Sequence, residues 1–483
     1  MCRVGTAVLS TGEAAPAVPP PTAHERVVAL FDAHTRPVEY GRHANAATAD
    51  VLAPGDGVVV ALGVVHGRPT MAISYDGSAA GGTHGATAHA KIERGLRLAQ
   101  HAGAAVVLFS EGGGFRPSEP PYYAERRDLV HELALLSGRV PLVGVAVASV
   151  WDIRALELGV TDMIVGVHGA SVALDEPGPG SDAPHVADVG ALEREGAVNV
   201  GVGSVAEAIA VVRKYLDYFA TPRRPLQQAE DPQVAEELAR LIPDNPRRAV
   251  DGRRLTDLVA DPDSVLRLSE RFGGSVQTSL ARVGGRALGL VASHSMVKAG
   301  ALDSDASDKL ARFIRLCDSF QLPMVYLTDV PGILAGPAAE HSAINRHSAR
   351  PYFAQVHARI SQLTVAVRRA YGQGMVIMGL GQHSPGQTLT LVWPSAEFGG
   401  MGLAGAAAIT ANSTTSAQAT GGRSEQVLYQ DLVSHGSALP VAQRFRADDV
   451  IEPGDTRARL LAAVELLPVA DASRRSHIPL DPW

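Results

Sequence analysis

Two segments of the chain carry apolar residues three or four positions apart, and each leads into the same kind of short apolar run. Ile92, Leu96 and Ala99 fall on one stripe, and Leu310, Phe313 and Leu316 on another; that period predicts amphipathic helices. The runs that follow, "AAVVLFS" from Ala104 and "MVYLT" from Met324, show no polar alternation. Segments that short and apolar on both faces suit strands of a parallel sheet covered by helices. More runs predict more strands: "VPLVGVAVA" and "TDMIVGV" in the first half, "TVAVRRA", "MVIMGL" and "LTLVW" in the second. Strand and helix alternate, so the expected class is α/β.

The two halves repeat each other. "GVVHGRPTMAIS" resembles "ARVGGRALGLVAS", and "AKIERGLRLAQHAGAAVVLFSEGGG" runs parallel to "DKLARFIRLCDSFQLPMVYLTDVPG". One constant separation links Gly67 to Gly285, Lys91 to Lys309, Arg94 to Arg312 and Glu111 to Asp329. An ungapped series of that kind argues for a duplicated unit, read in each copy as strand, turn, strand, Gly-containing loop, helix, strand, loop. The expected division is a disordered Ala/Pro-rich leader over 1–22, a first lobe over 23–225, a Pro- and charge-rich linker over 226–248 and a second lobe over 249–483.

In α/β sheets ligands bind beyond the carboxyl ends of the strands. The loops there are unusual in having little side-chain bulk: "EGGG" over Glu111–Gly114, "DVPG" from Asp329, and "AYGQG" over Ala370–Gly374. Such loops let main-chain amides approach a ligand closely, and helices that start after them present free N–H groups. The pattern points to backbone donors for an enolate or another oxyanion rather than to a side-chain nucleophile.

Composition narrows the field. Of 483 residues 46% are hydrophobic and 19% charged, with net charge −7. That is an ordinary globular balance and gives no electrostatic case for nucleic acid or an anionic membrane. Two cysteines, Cys2 and Cys317, make neither a disulfide framework nor a Cys-rich metal site. No signal-peptide h-region and no run of about 18 apolar residues occurs, so the expected location is cytoplasmic. The nucleotide P-loop, the zinc H-E-x-x-H and the hydrolase G-x-S-x-G patterns are absent. His341 and His347 read as surface or hydrogen-bonded, Asp303, Asp305 and Asp308 as a turn and helix start, and Trp151 and Trp393 as core or pocket wall. No metal site is expected.

The residues then resemble a family. "GALDSDASDKLARFIRLCDSFQLPMVYLTDVPGILAGPAAEHSAINRHSA", "RRAYGQG", "VWPSAEFGGMGLAGAAAI" and "DDVIEPGDTRARLLAAV" look like the carboxyltransferase (β) subunits of biotin-dependent acyl-CoA carboxylases. The first-half stretches "DGVVVALGVVHGRP", "GGTHGATAHAKI" and "EGGGFR" are similar but looser. The resemblance implies two duplicated crotonase-like (ββα spiral) lobes, a hexamer or at least a dimer, acyl-CoA on the first lobe and biotin on the second. It implies that carboxybiotin releases CO2 in a dry pocket and that an amide-held enolate of the thioester attacks it. Biotin would come on a separate carrier, charged by a biotin carboxylase subunit. By position, Val330, Pro331, Gly332 and Gly336 would form the biotin-side wall, with Arg346 and His347 near it. Gln373 and Gly374 would offer amides to the biotin oxygen, and Gly113, Gly114 and Arg116 would lie near CoA. Gly81, Gly82 and Gly85 match a structural Gly-rich turn.

Three departures stand out. Asp152 and Ile153 occupy the approximate places of the family's Gly-Gly pair that holds the acyl enolate. Gln373 replaces a Gly and Val376 an Asp, and Ser348 stands for the Gly of R-H-G-A. These keep two other readings open: a biotin-independent crotonase-fold decarboxylase, hydratase or hydrolase with Asp152, Glu111 or His347 as acid or base, and a non-catalytic partner of an active paralogue.

Overall fold

The computed structural model describes residues 20–46, 53–116, 118–119, 128–175, 188–220, 232–243, 245, 248–381, 386–412, 423–466 and 479–480. Residues 1–19 of the expected leader, and 226–231, 244, 246 and 247 of the expected linker, lie outside the described residues.

Two sheets repeat one design. The first holds β1 (Val38–Tyr40), β2 (Val58–Val65), β3 (Arg68–Tyr75), β4 (Ala105–Gly113), β5 (Leu142–Trp151), β6 (Met163–Val167) and β7 (Val200–Val202), side by side in chain order. The second holds β8 (Leu266–Leu268), β9 (Val276–Val283), β10 (Arg286–Ser293), β11 (Met324–Val330), β12 (Gln362–Tyr371), β13 (Gln387–Val392) and β15 (Asp449–Val450) in order, while β14 (Glu397–Gly399) also pairs with β12. In each sheet the first two pairings are antiparallel and the rest parallel. The hairpins β2–β3 and β9–β10 turn through His66-Gly67 (φ 48 and 72) and Gly284-Gly285 (φ 60 and 77). Two consecutive positive φ angles match the twist of the strands they join.

The repeated lysines do one job twice. Lys91, on the helix Ala86–Ala102, donates to the carbonyls of Gly55 (2.7 Å) and Val58 (2.6 Å). Lys309, on the helix Ser304–Ser319, donates to those of Ser269 (3.2 Å) and Phe272 (2.5 Å). Each ammonium thus pins the segment leading into its hairpin, and burial pushes the pKa of Lys309 down to about 7. The predicted stripes, Ile92, Leu96 and Ala99 in the first lobe and Leu310, Phe313 and Leu316 in the second, are buried.

One apolar core runs across both lobes, joining Val212, Tyr215 and Phe219 to Leu266, Phe313 and Phe320. Arg312 reaches from the second lobe to the carbonyls of Asp162 (2.8 Å) and Thr161 (2.9 Å) in the first; its counterpart Arg94 is exposed. A second core holds Trp393, fully buried with its indole N–H on Thr456 Oγ1 at 2.8 Å.

One expectation changes. "MVIMGL" is helical, not a strand: Gly372–Met375 begins a helix that widens over Val376–Leu380. A short apolar run bears either structure, and Thr328 and Thr364 donate to the carbonyls of Met378 and Gly379 at 2.7 Å, which fixes the coil against β11 and β12. Within the expected linker, Pro232–Leu241 is a helix whose Leu238 is fully buried against Leu255 and Leu288. No helix of the described residues is long and apolar enough to cross a membrane.

Candidate active site

The register of the central strands places the two loop clusters at equivalent points. β4 and β5 pair as far as Gly113 with Trp151, after a shift between Ser110 and Gly112. β11 and β12 end with Val330 opposite Ala370, after a shift between Thr328 and Val330. Matching the two ladders makes Trp151 the counterpart of Tyr371, Asp152 of Gly372, Ile153 of Gln373 and Arg154 of Gly374. The backbone agrees: Asp152 has φ 57 and Gly372 φ 55, and each precedes or opens a short helix, Ile153–Gly159 and Gly372–Met375.

In the second lobe the structure brings three of the expected residues together, Val330, Gly332 and Gly374. A Cβ on Gly374 would lie 2.8 Å from Gly332 Cα and 3.0 Å from Val330 Cγ2. Only glycine lets these two loops approach so closely. On the other side the loop is open: a Cβ at Gly332 (φ 137) or Gly336 (φ 114) would meet nothing within 4 Å. Gln373 is exposed and Pro331 half-buried. Below the loop, Asp329 is 2% exposed. It accepts from Arg368 (2.7 and 3.2 Å), from the Arg369 side chain (2.8 and 3.0 Å) and from the Arg369 amide (3.1 Å). Burial raises the pKa of that carboxyl, but the hydrogen bonds of Arg369 and Arg368 outweigh it and hold it below its ordinary value. Asp329 is therefore a fixed anion that ties β11 to β12, not a reactive group.

Arg346 is exposed on the helix Ile344–His357. His347, on the same helix, meets Asp308 through Nδ1 at 2.7 Å, and Arg350 donates to the other oxygen of Asp308 at 2.6 Å. The hydrogen-bonded reading of His347 holds. Asp303 is the N-cap expected at the helix start, accepting from the Ala306 amide at 2.8 Å. Asp308 instead joins two helices.

The first lobe is built differently. Gly113 lies under Trp151, since a Cβ there would be 2.5 Å from the indole Cδ1, and Gly114 lies beside the Asp152 carboxylate, 2.9 Å from its Oδ2 by the same measure. Asp152 is exposed and caps nothing with its side chain. Arg116 is 4% exposed, with Nη1 2.6 Å from both Asp56 and Glu119. It braces Gly85, where a Cβ would meet its Nη1 at 2.4 Å. Gly82 and Gly112 likewise touch backbone to backbone.

Behind the Asp152 turn sits a buried polar group that the sequence reading missed. Arg154 is 1% exposed. It donates to the carbonyl of Glu111, lies 3.5 Å from His84 Nδ1 and stacks 3.7 Å above the ring of Tyr75. The Tyr75 hydroxyl donates to Glu157 Oε2 at 2.8 Å. Burial raises the pKa of Glu157 to about 7, although the Arg154 charge and the Tyr75 hydrogen bond pull it down. Burial and the charge of Arg154 also push His84 well below its ordinary value, keeping it neutral. The available signal was a charged pair, Arg154 and Glu157, one helical turn apart in an otherwise apolar stretch.

Chemically, each lobe offers a turn that leads into a short helix at the end of its central strand, and in the second lobe the facing loop is open at Gly332 and Gly336. Comparison with known proteins identifies the class. The Carboxyl transferase domain family matches residues 21–173 and 189–477. The propionyl-CoA carboxylase carboxyltransferase subunit of Haloferax mediterranei is 31% identical over 445 residues, which cover 86% of this chain and 83% of that protein. Methylmalonyl-CoA decarboxylase subunit alpha of Propionigenium modestum is 29% identical over 484 residues, covering 95% and 93%. A crystal structure of transcarboxylase 12S, a hexamer assembly with methylmalonyl-coenzyme A and methylmalonic acid bound, matches with a TM-score of 0.84 at 27% identity, over 95% of this chain and 93% of that one. The repeated lobes are thus crotonase-like as expected, and with the match spanning both of them the chain belongs to the carboxyl transferase domain family.

Proposed function

We propose that the chain is the carboxyltransferase component of an acyl-CoA carboxylase, moving a carboxyl group to the α-carbon of an acyl-CoA. The observation that carries this reading is the pair of equivalent turns, at Asp152–Arg154 and Gly372–Gly374, at the carboxyl ends of the central strands of both lobes. Carboxybiotin, delivered by a separate carrier, would supply CO2 and accept the α-proton. The residues of this chain bind, orient and exclude water. The biotin ring would lie on the open side of Gly332 and Gly336, where a Cβ would meet nothing within 4 Å, and the amides of Gln373 and Gly374 would hold its oxygen. The turn at Gly113–Gly114 and Asp152–Ile153 would hold the thioester, its N–H groups donating to the enolate oxygen as charge develops there. First lobe and second lobe would meet between two copies of the chain, in a hexamer like that of transcarboxylase 12S.

The test is consumption of malonyl-CoA or methylmalonyl-CoA by the purified full chain with free biotin as carboxyl acceptor. Biotin-dependent loss of the thioester carboxyl is expected. Gly374→Ala, which drives a Cβ into Gly332, should cut kcat by about 10²-fold. Absence of any biotin-dependent consumption would overturn the reading. Asp152 in the acyl turn, together with the likeness to a methylmalonyl-CoA decarboxylase subunit, favours a second reading, decarboxylation of a CoA-bound acid; turnover of equal rate without biotin would select it.

A further inference from the structure

Asp152 stands at φ 57 and ψ −140, a conformation that glycine adopts freely and a side chain resists. Its own carboxylate makes no cap hydrogen bond. Backbone strain of this kind persists only where the surroundings over-determine it. The second lobe avoids the problem with Gly372 at φ 55, and carries Gly374 two residues on. The first lobe carries Arg154 in that place.

Resting on the carboxyltransferase reading, we propose that Arg154 is a positioning residue: a buried guanidinium that bolts the Asp152–Ile153 turn to the end of β4 and so holds the first lobe's donor turn in its strained form. The bolt joins two rigid parts. Arg154 lies on the helix Ile153–Gly159 and donates to the Glu111 carbonyl. Glu111 is itself fixed through its side chain, which accepts from Arg26 and from the Gly77 amide at 2.9 Å. Tyr75, at the end of β3, forms the floor of the guanidinium at 3.7 Å and links it to Glu157. Three strand ends, β3, β4 and β5, therefore converge on one side chain. Arg154 touches none of the reacting atoms; it sets where Asp152, Ile153, Gly113 and Gly114 stand. The second lobe achieves the same rigidity with Asp329 between β11 and β12, below the turn rather than beyond it.

The experiment uses the full-length protein and two readouts. Amide hydrogen-exchange protection is measured over residues 111–114 and 150–154, and over 330–332 and 372–374 as an internal control. Malonyl-CoA consumption with free biotin is measured alongside. Arg154→Ala should lower protection at least tenfold in the first set and leave the second unchanged, with kcat falling at least tenfold. Arg154→Lys should fall between. The decisive variant is Asp152→Gly combined with Arg154→Ala: glycine needs no bolt to hold a positive φ, so protection at 111–114 should return to within about threefold of the parent. Unchanged protection in Arg154→Ala, equal loss in both lobes, or no recovery in the double variant would overturn the proposal. Should Arg154→Ala fail to fold, Arg154→Gln carries the same comparison. If the parent consumes no malonyl-CoA with biotin, the functional reading fails, while the exchange data still decide the bolt.

Discussion

After its long central strand, the second lobe turns on Gly372, Gln373 and Gly374, and the first turns on Asp152, Ile153 and Arg154. Both turns open on a positive φ, 57 at Asp152 and 55 at Gly372. The means are opposite. The second lobe puts glycines on either side of Gln373, so its loops touch at Gly374 and Gly332 and stay open beyond. The first lobe imposes the path on residues that resist it, and needs a buried guanidinium and a carbonyl to do so. A duplicated fold can thus keep main-chain geometry while exchanging its support, and the side chains that result, above all Asp152, add charge to a site that backbone alone would make neutral.

The sharpest way to break this comparison is to remove the anion under each loop. Asp329→Ala leaves the nearly buried Arg368 and the Arg369 side chain without their carboxylate, and should cost about 3–5 kcal/mol in urea-induced unfolding. Glu111→Ala leaves the first turn still held by Arg154 on the Glu111 main chain, and should cost about 1–3 kcal/mol. Equal losses would show that the two lobes are supported alike.

Next in size is a pH effect confined to the first lobe. Glu157 has its pKa raised from 4.5 to about 7. The folded state therefore binds its proton more tightly than the unfolded chain does, so its contribution to stability falls as pH rises from about 4.5 to 7 and is fully adverse above that. Glu157→Gln should match the parent near pH 5 and exceed it by roughly 3 kcal/mol at pH 8. Thermal unfolding across that range checks it, and a constant difference would remove Glu157 from the account. The smallest effect concerns the turn itself. Asp152→Gly should stabilise the protein by about 1 kcal/mol and Gly372→Asp should destabilise it by at least as much. Denaturation midpoints moving in the same direction would mean the two turns are not equivalent.

Particular elements were legible beforehand, for stated reasons. The stripe Ile92–Leu96–Ala99 and its partner Leu310–Phe313–Leu316 announced their helices because an amphipathic period survives in any context. The pairing of Lys91 with Lys309 revealed the duplication because each ammonium pins the same backbone segment. "MVIMGL" was misread because its apolar residues are buried whichever way the backbone coils. The 226–248 stretch read as linker by composition, yet Leu238 supplies core contact that composition does not reveal. The close approach at Gly374 and the open space at Gly332 and Gly336 were legible because absence of a side chain is visible in a sequence. The burial of Arg116 against Asp56 and Glu119 was not visible, because charge can be read from a sequence while burial cannot.

By itself, then, the sequence determined the α/β class, the two-fold repetition and the loops at the strand ends that carry little side-chain bulk, since period, repeated spacing and glycine are local facts. Only the tertiary structure decided which charges are spent. Arg116, Asp329 and Arg154 look alike as letters in a string, but each is committed to partners far along the chain: Asp56, Arg368 and Arg369, and the Glu111 carbonyl. The physical reason is desolvation. A buried charge is stable only where hydrogen-bond partners converge on it from several strands, and that convergence exists only once the strands are assembled.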